Sequence, residues 1–226
     1  MENNEIEMTD EKQKELSGLF DEFLDDFALV KKGKDHIKQY PRGRKEAKEN
    51  YKKILEMEKQ GEDLIDEILL KMLPYPDTEN NQRKGDCWIH VAPAFQGDAK
   101  KMFEGAKWVK PGKWSEKTGL ILNFFKNVLS GETLQEQCNK FSESEHSKGL
   151  QSGMLSPFLN AIEPEKFVII NNKTRKVINK FKAEGLNFKQ SIVDYPQANE
   201  MAWKFIGLYK ERIEKSGIKY DHVSDV

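Results

Sequence analysis

Apolar side chains recur at intervals of three and four along six separate stretches of this chain, and that spacing limits its fold more than any other feature. Leu16, Leu19, Phe20, Phe23, Leu24 and Phe27 fall at i, i+3, i+4, i+7, i+8 and i+11, one side of a helix that Thr9 or Asp10 can cap. Asp21, Glu22, Asp25 and Asp26 take the opposite side. A long helix from about Arg44 to Gln60 carries Tyr51, Ile54 and Leu55 and stops at Gly61; Leu64 to Met72 resumes the period. Leu120, Ile121, Phe124, Phe125, Val128 and Leu129 mark the most apolar helix, and Gly131 stops it. Residues 133 to 141 and 153 to 162 read as helices, the latter started or kinked by Pro157. A last helix runs from Pro196 to Lys215, with Met201, Ala202, Phe205, Leu208 and Tyr209 inward.

The connecting stretches lack this period. GKDHIKQYPRGRK reads as a basic connector because of its Gly and Pro residues. PYPDTENNQRKGD is a loop and the expected internal boundary, dividing an N-terminal helical segment, 1–80, from a helical core, 81–226. Trp88, Ile89 and Val91 can form a short strand before Pro93. The expected fold is therefore mainly α, a multi-helix domain with at most a small β element near residues 87–91.

Charge is dense but balanced: 33% of residues are charged and the net charge is −1, which argues against a blanket electrostatic binder. Its placement is uneven. Residues 1–30 hold ten acids against Lys12 and Lys14, residues 31–59 eleven Lys or Arg against five acids, and residues 164–190 seven Lys or Arg against Glu165 and Glu184. Acidic and basic helices can neutralise one another when packed, or leave local basic surface. No apolar run nears the roughly 18 residues that span a bilayer, and the acidic N-terminus is unlike a signal peptide. With Cys87 and Cys138 the only cysteines, the reading is a cytoplasmic protein with no membrane partner.

Catalytic signatures are missing. There is no phosphate-binding Walker loop, GxSxG, HExxH or paired CxxC, and Cys87-Trp-Ile-His90 alone does not make a tetrahedral metal site. No catalytic residue, cofactor or metal is assigned. The informative stretch is GLQSGMLSPFLNAIEPEKFVIINNKTRKVINKF, residues 149–181: helix, turn, apolar segment, then a basic helix opened by Asn172. The start of that helix offers backbone N–H groups and the positive end of its dipole. Lys166, Asn171, Asn172, Lys173, Arg175, Lys176 and Lys180 are the candidate nucleic-acid-binding residues.

This stretch resembles the core of the helix-hairpin-helix DNA glycosylases, in which a catalytic Asp opens the second helix. Asn171 stands at that position, Lys148 is the nearest counterpart to the catalytic Lys, and so the resemblance implies no glycosylase chemistry. A longer resemblance covers roughly residues 86–215. His90 to Phe95, Leu120 to Leu129, Gly149 to Ser156 and Pro164 to Asn171 are similar in order to the N-terminal regions of McrB-type restriction proteins. That resemblance implies a domain that reads DNA, modified or not, for a motor NTPase and nuclease in the same or another chain. Reading a modified base implies flipping it into an aromatic pocket, for which Trp88, His90, Phe95, Trp108 and Trp114 are the candidates. The expected function is a DNA-binding specificity module of a restriction or phage-defence system. The alternatives are a protein–protein adaptor of a defence complex and a degenerate glycosylase-like protein.

Overall fold

The computed structural model describes residues 8–73, 99–182 and 186–226, and among them there is no strand. The element expected at 87–91 lies outside the described residues, as do Trp88, His90 and Phe95.

The chain opens with α1, Asp10–Phe23, whose N-cap is Thr9: its hydroxyl accepts from the Lys12 amide at 3.4 Å. The helix does not stop at Phe23 but widens. Leu29 N–H reaches back five residues to the Leu24 carbonyl at 2.8 Å, so Leu24–Ala28 form one π-turn. Leu24 and Ala28 are buried by it, whereas Leu19, at the edge of the apolar stripe, is exposed.

The stretch expected to be a basic connector is helical instead. It forms α2, Lys31–Ile37, and the start of α3, Tyr40–Gln60. Its Gly and Pro have other tasks. A Cβ on Gly33 would sit inside the Phe27 carbonyl, so glycine lets α2 lie directly on the π-turn. Pro41 occupies the first turn of α3, where a missing N–H breaks no intrahelical bond. Gly61 ends α3 in the left-handed region, φ 73°. A short α4, Ile65–Lys71, follows.

The next described helices are α5, Ala99–Gly105, α6, Trp114–Leu129, and α7, Leu134–Glu143. Then come α8, Ser152–Ile162, with Pro157 inside it, α9, Asn172–Phe181, and α10, Tyr195–Lys215. The main core lies where α3, α6 and α8 meet. Phe158 of α8 sits 4.6 Å from Phe125 of α6 and 5.6 Å, edge-on, from Tyr51 of α3. Each fully buried aromatic there contributes about 2–3 kcal/mol through apolar burial. Ala47, Ile54, Ile68 and Leu69 belong to the same core as Phe125 and Phe158, so residues on both sides of position 80 share it. On α10, Tyr195, Ala198, Ala202, Tyr209 and Ile213 face inward. Leu208, expected inward, is 46% exposed: it lies one position, about 100°, round from Tyr209.

Between α8 and α9, after a turn at 164–166, residues 167–170 belong to no helix and have no strand beside them, and side chains take the place of one. Along α8, Ser152 donates to the Ile170 carbonyl (3.1 Å), Ser156 accepts from the Ile170 amide (3.0 Å), and Asn160 donates to the Phe167 carbonyl (2.7 Å). Along α10, Tyr195 donates to the Val168 carbonyl (3.3 Å). Asn199 accepts from the Val168 amide (2.7 Å), and both Asn199 and Trp203 donate to the Lys166 carbonyl (3.0 Å each). Each set is spaced by four, one polar stripe per helix. The backbone groups of Val168 and Ile170 and the carbonyls of Lys166 and Phe167 are thereby all hydrogen-bonded to side chains.

Candidate nucleic-acid interface

The segment delivers the chain to α9, which opens at Asn172 but is capped by the residue before it. Asn171 is the N-cap: its Oδ1 accepts from the amides of Lys173 (2.8 Å) and Thr174 (3.1 Å). Those first-turn N–H groups, expected to be open to an anion, are therefore taken. Asn172 is the first helical residue, and its Oδ1 accepts from Arg175 Nη2 at 2.8 Å.

Arg175 is likewise not a mobile cation. Its other terminal nitrogen donates to the Phe188 carbonyl at 3.1 Å, and its Nε is buried without a hydrogen-bond partner. Asn179, one turn on, closes a two-way bond with Phe188, donating to its carbonyl at 2.8 Å and accepting from its amide at 2.9 Å. This face of α9 holds the segment after residue 185 in place. Ile178 and Phe181 are buried.

The remaining, outward face carries Lys173, Lys176, Val177 and Lys180. Lys180 is ion-paired with Glu15 of α1, and Lys166 with Glu163 at 3.0 Å. Asp21 of α1 pairs with Arg212 of α10, while Phe20 stacks on Tyr209 with centroids 4.4 Å apart. The acidic first helix thus neutralises part of the basic surface by packing on it. Among the described residues, no ion pair engages Lys173 or Lys176, and both are exposed. Of the seven candidates, these two can meet a phosphate without first giving up a carboxylate or a backbone partner.

Trp108 and Trp114 come together around one ring. Each meets Phe103 edge-on, with centroids 5.5 and 6.1 Å away. Trp114 donates to Glu104 at 2.8 Å. The Trp108 indole lies against Gly149, where φ is +80° and a Cβ would collide with the ring, so glycine is required there twice over.

Sequence reasoning missed Lys117. It is fully buried on α6 and donates to the carbonyls of His146 (2.6 Å), Lys148 (2.7 Å) and Trp108 (3.5 Å), with its ammonium 4.7 Å from the Phe103 ring centre. Burial pushes its ammonium down to about 8. It also missed Arg44, buried in α3 and paired with Asp225 and, at 2.8 Å, with Asp221. The signal for both was present: a Lys and an Arg on the inward sides of amphipathic helices.

Among the described residues no cluster of three or more His, Cys, Asp or Glu could hold a metal, and no helix is long and apolar enough to cross a membrane. No protein family, curated protein or solved structure matches the chain.

Proposed function

We propose that this chain is a DNA-binding specificity module that rests α9 on the phosphate backbone and presents DNA to a motor NTPase and nuclease of a restriction or phage-defence system. The observation that carries the reading is the pair Lys173 and Lys176, exposed and without an ion pair among the described residues. They stand on a helix fixed by its Asn171 cap and its clamp on Phe188. A rigid helix presenting two cations costs little to order when a phosphate arrives, because the scaffold is already set. The resemblance of residues 86–215 to McrB-type N-terminal regions supports the finer reading, that the DNA is modified.

The test is duplex binding by fluorescence anisotropy across a salt series, with unmodified, methylated and hydroxymethylated duplexes. Phosphate contacts carry no sequence information, so Lys173→Glu with Lys176→Glu should weaken all three alike. The salt slope should fall by roughly two, one per lost contact. A folded double variant that binds as tightly as the parent at the same salt would sink the reading. Retained preference for one modification in that variant would place base reading elsewhere in the chain.

A further inference from the structure

Among the described residues, a longer row of exposed basic side chains than that of α9 runs along the joined helices α2 and α3. Lys38 (φ −62°, ψ −15°) and Gln39 (φ −81°, ψ −23°) keep helical backbone angles across the junction. Helical bonds flank it, Lys38 N–H to the Lys34 carbonyl at 3.1 Å and Gly43 N–H to the Gln39 carbonyl at 3.0 Å. Side-chain periodicity therefore carries from one helix into the next. Gly33, Ile37, Arg44, Ala47 and Ile54 form the buried side. On the other side, Lys31, Lys34, Lys38, Arg42, Lys45 and Lys52 are all exposed, spaced by three, four, four, three and seven. At 1.5 Å per residue this row is at most about 32 Å long, the length of roughly nine base pairs of duplex.

We propose that this row is a second phosphate-backbone contact, on which the duplex lies while α9 holds it at another point. The inference rests on the reading of the chain as a DNA-binding module. Among the described residues Lys38 and Lys45 are ion-paired, with Asp35 at 3.8 Å and Glu49 at 3.9 Å, and Arg42 acts on the Glu46 carboxylate without a close pair. Both pairs are exposed and short-range along the helix, so they yield readily to a phosphate. An anionic membrane fits the row less well. A helix that lies on lipid inserts its apolar face, and here that face, Ile37 with Ala47 and Ile54, is committed to the protein core. An acidic protein partner fits less well too, because the row carries no aromatic anchor of the kind that concentrates protein-binding energy.

The experiment replaces Lys34, Lys45 and Lys52 with Gln in the full chain and measures anisotropy with a duplex of about 30 base pairs across a salt series. A control with the same loss of charge replaces Lys107, Lys140 and Lys210, exposed lysines outside α2 and α3, with Gln. The expected result is a salt slope lower by about three in the first variant, little change in the control, and additive losses when the first is combined with Lys173→Glu and Lys176→Glu. If both triple variants weaken binding equally, overall charge is responsible and the row is not a contact. If the row variant binds like the parent while the α9 variant is weakened, the row is wrong and the module reading stands. If only the row variant is weakened, the row stands and α9 is not a contact. A parent chain that fails to bind duplex at low salt, or that instead binds vesicles of phosphatidylserine and phosphatidylcholine, overturns both.

Discussion

Lys117 is mostly protonated at neutral pH although its side chain is buried, and backbone carbonyls are what make this tolerable. Those of His146, Lys148 and Trp108 belong to two separate loops, so the ammonium ties both to the start of α6. Lys117→Met keeps the length of the side chain but leaves those acceptors without a donor. The expected loss is about 1–3 kcal/mol, read as a lower urea midpoint. The titration gives a second readout. Burial lowers this group from 10.5 to about 8, so between those values the folded state has lost a proton that the unfolded chain still holds. Stability contributed by Lys117 therefore rises with pH across that window. Cys138 works in the opposite direction, since burial raises its thiol from 9.0 to about 12 and stability falls as pH climbs above 9.0. Cys138 is common to both proteins, so the midpoint of the parent minus that of Lys117→Met should grow from about pH 7.5 upward. A flat difference would mean that Lys117 titrates as an exposed lysine does.

The element that organises the helices is the apolar run at 167–170. Its bonds are separable, which makes it testable piece by piece. Ser156→Ala frees the Ile170 amide and leaves that of Val168 held by Asn199; Asn199→Ala does the reverse. Each should cost about 1–3 kcal/mol, and amide hydrogen exchange should accelerate first at the residue whose acceptor was removed. Exchange that rises equally at both amides in both variants would mean that the segment opens only as a unit. The helices on either side were legible from apolar spacing, because that signal is local. The run itself was legible only as apolar residues. What it bonds to depends on Ser152, Ser156 and Asn160 of one helix and Tyr195, Asn199 and Trp203 of another, and their partner is a backbone that has no side-chain code. The same limit explains the connector at 33–45. Gly33 and Pro41 look like helix breakers until the neighbour that needs the glycine, and the first-turn position that tolerates the proline, are known. At the candidate interface, clustering of Lys173, Lys176 and Lys180 on one face followed from periodicity. Glu15 beside Lys180, and the use of Arg175 as a clamp on Phe188, are tertiary facts.

At the scale of the whole molecule, Arg44 joins residues far apart in sequence. Asp225 and Asp221, in the turn after α10, meet it on α3, and the Asp225 carboxylate is wholly buried. Asp225→Ala leaves the guanidinium buried with half its partners gone, and should cost about 3–5 kcal/mol in thermal or urea unfolding. Asp221, 51% exposed, should matter by less than about 1 kcal/mol when replaced in the same way. Equal losses would show that the exposed pair is as strong as the buried one. A last consequence concerns the molecule among its own copies. Phe167, Val168, Ile169 and Ile170 are a run of high β propensity, the composition that nucleates stacked strands between chains. In most proteins such a run is guarded by flanking charges or by a paired neighbour strand. Here the ladder positions of Phe167, Val168 and Ile170 are filled by serine, asparagine and tyrosine side chains, so the folded chain offers no continuous edge for a second copy to extend. Loosening α8 from α10 would expose that edge, and self-association would then begin at this segment.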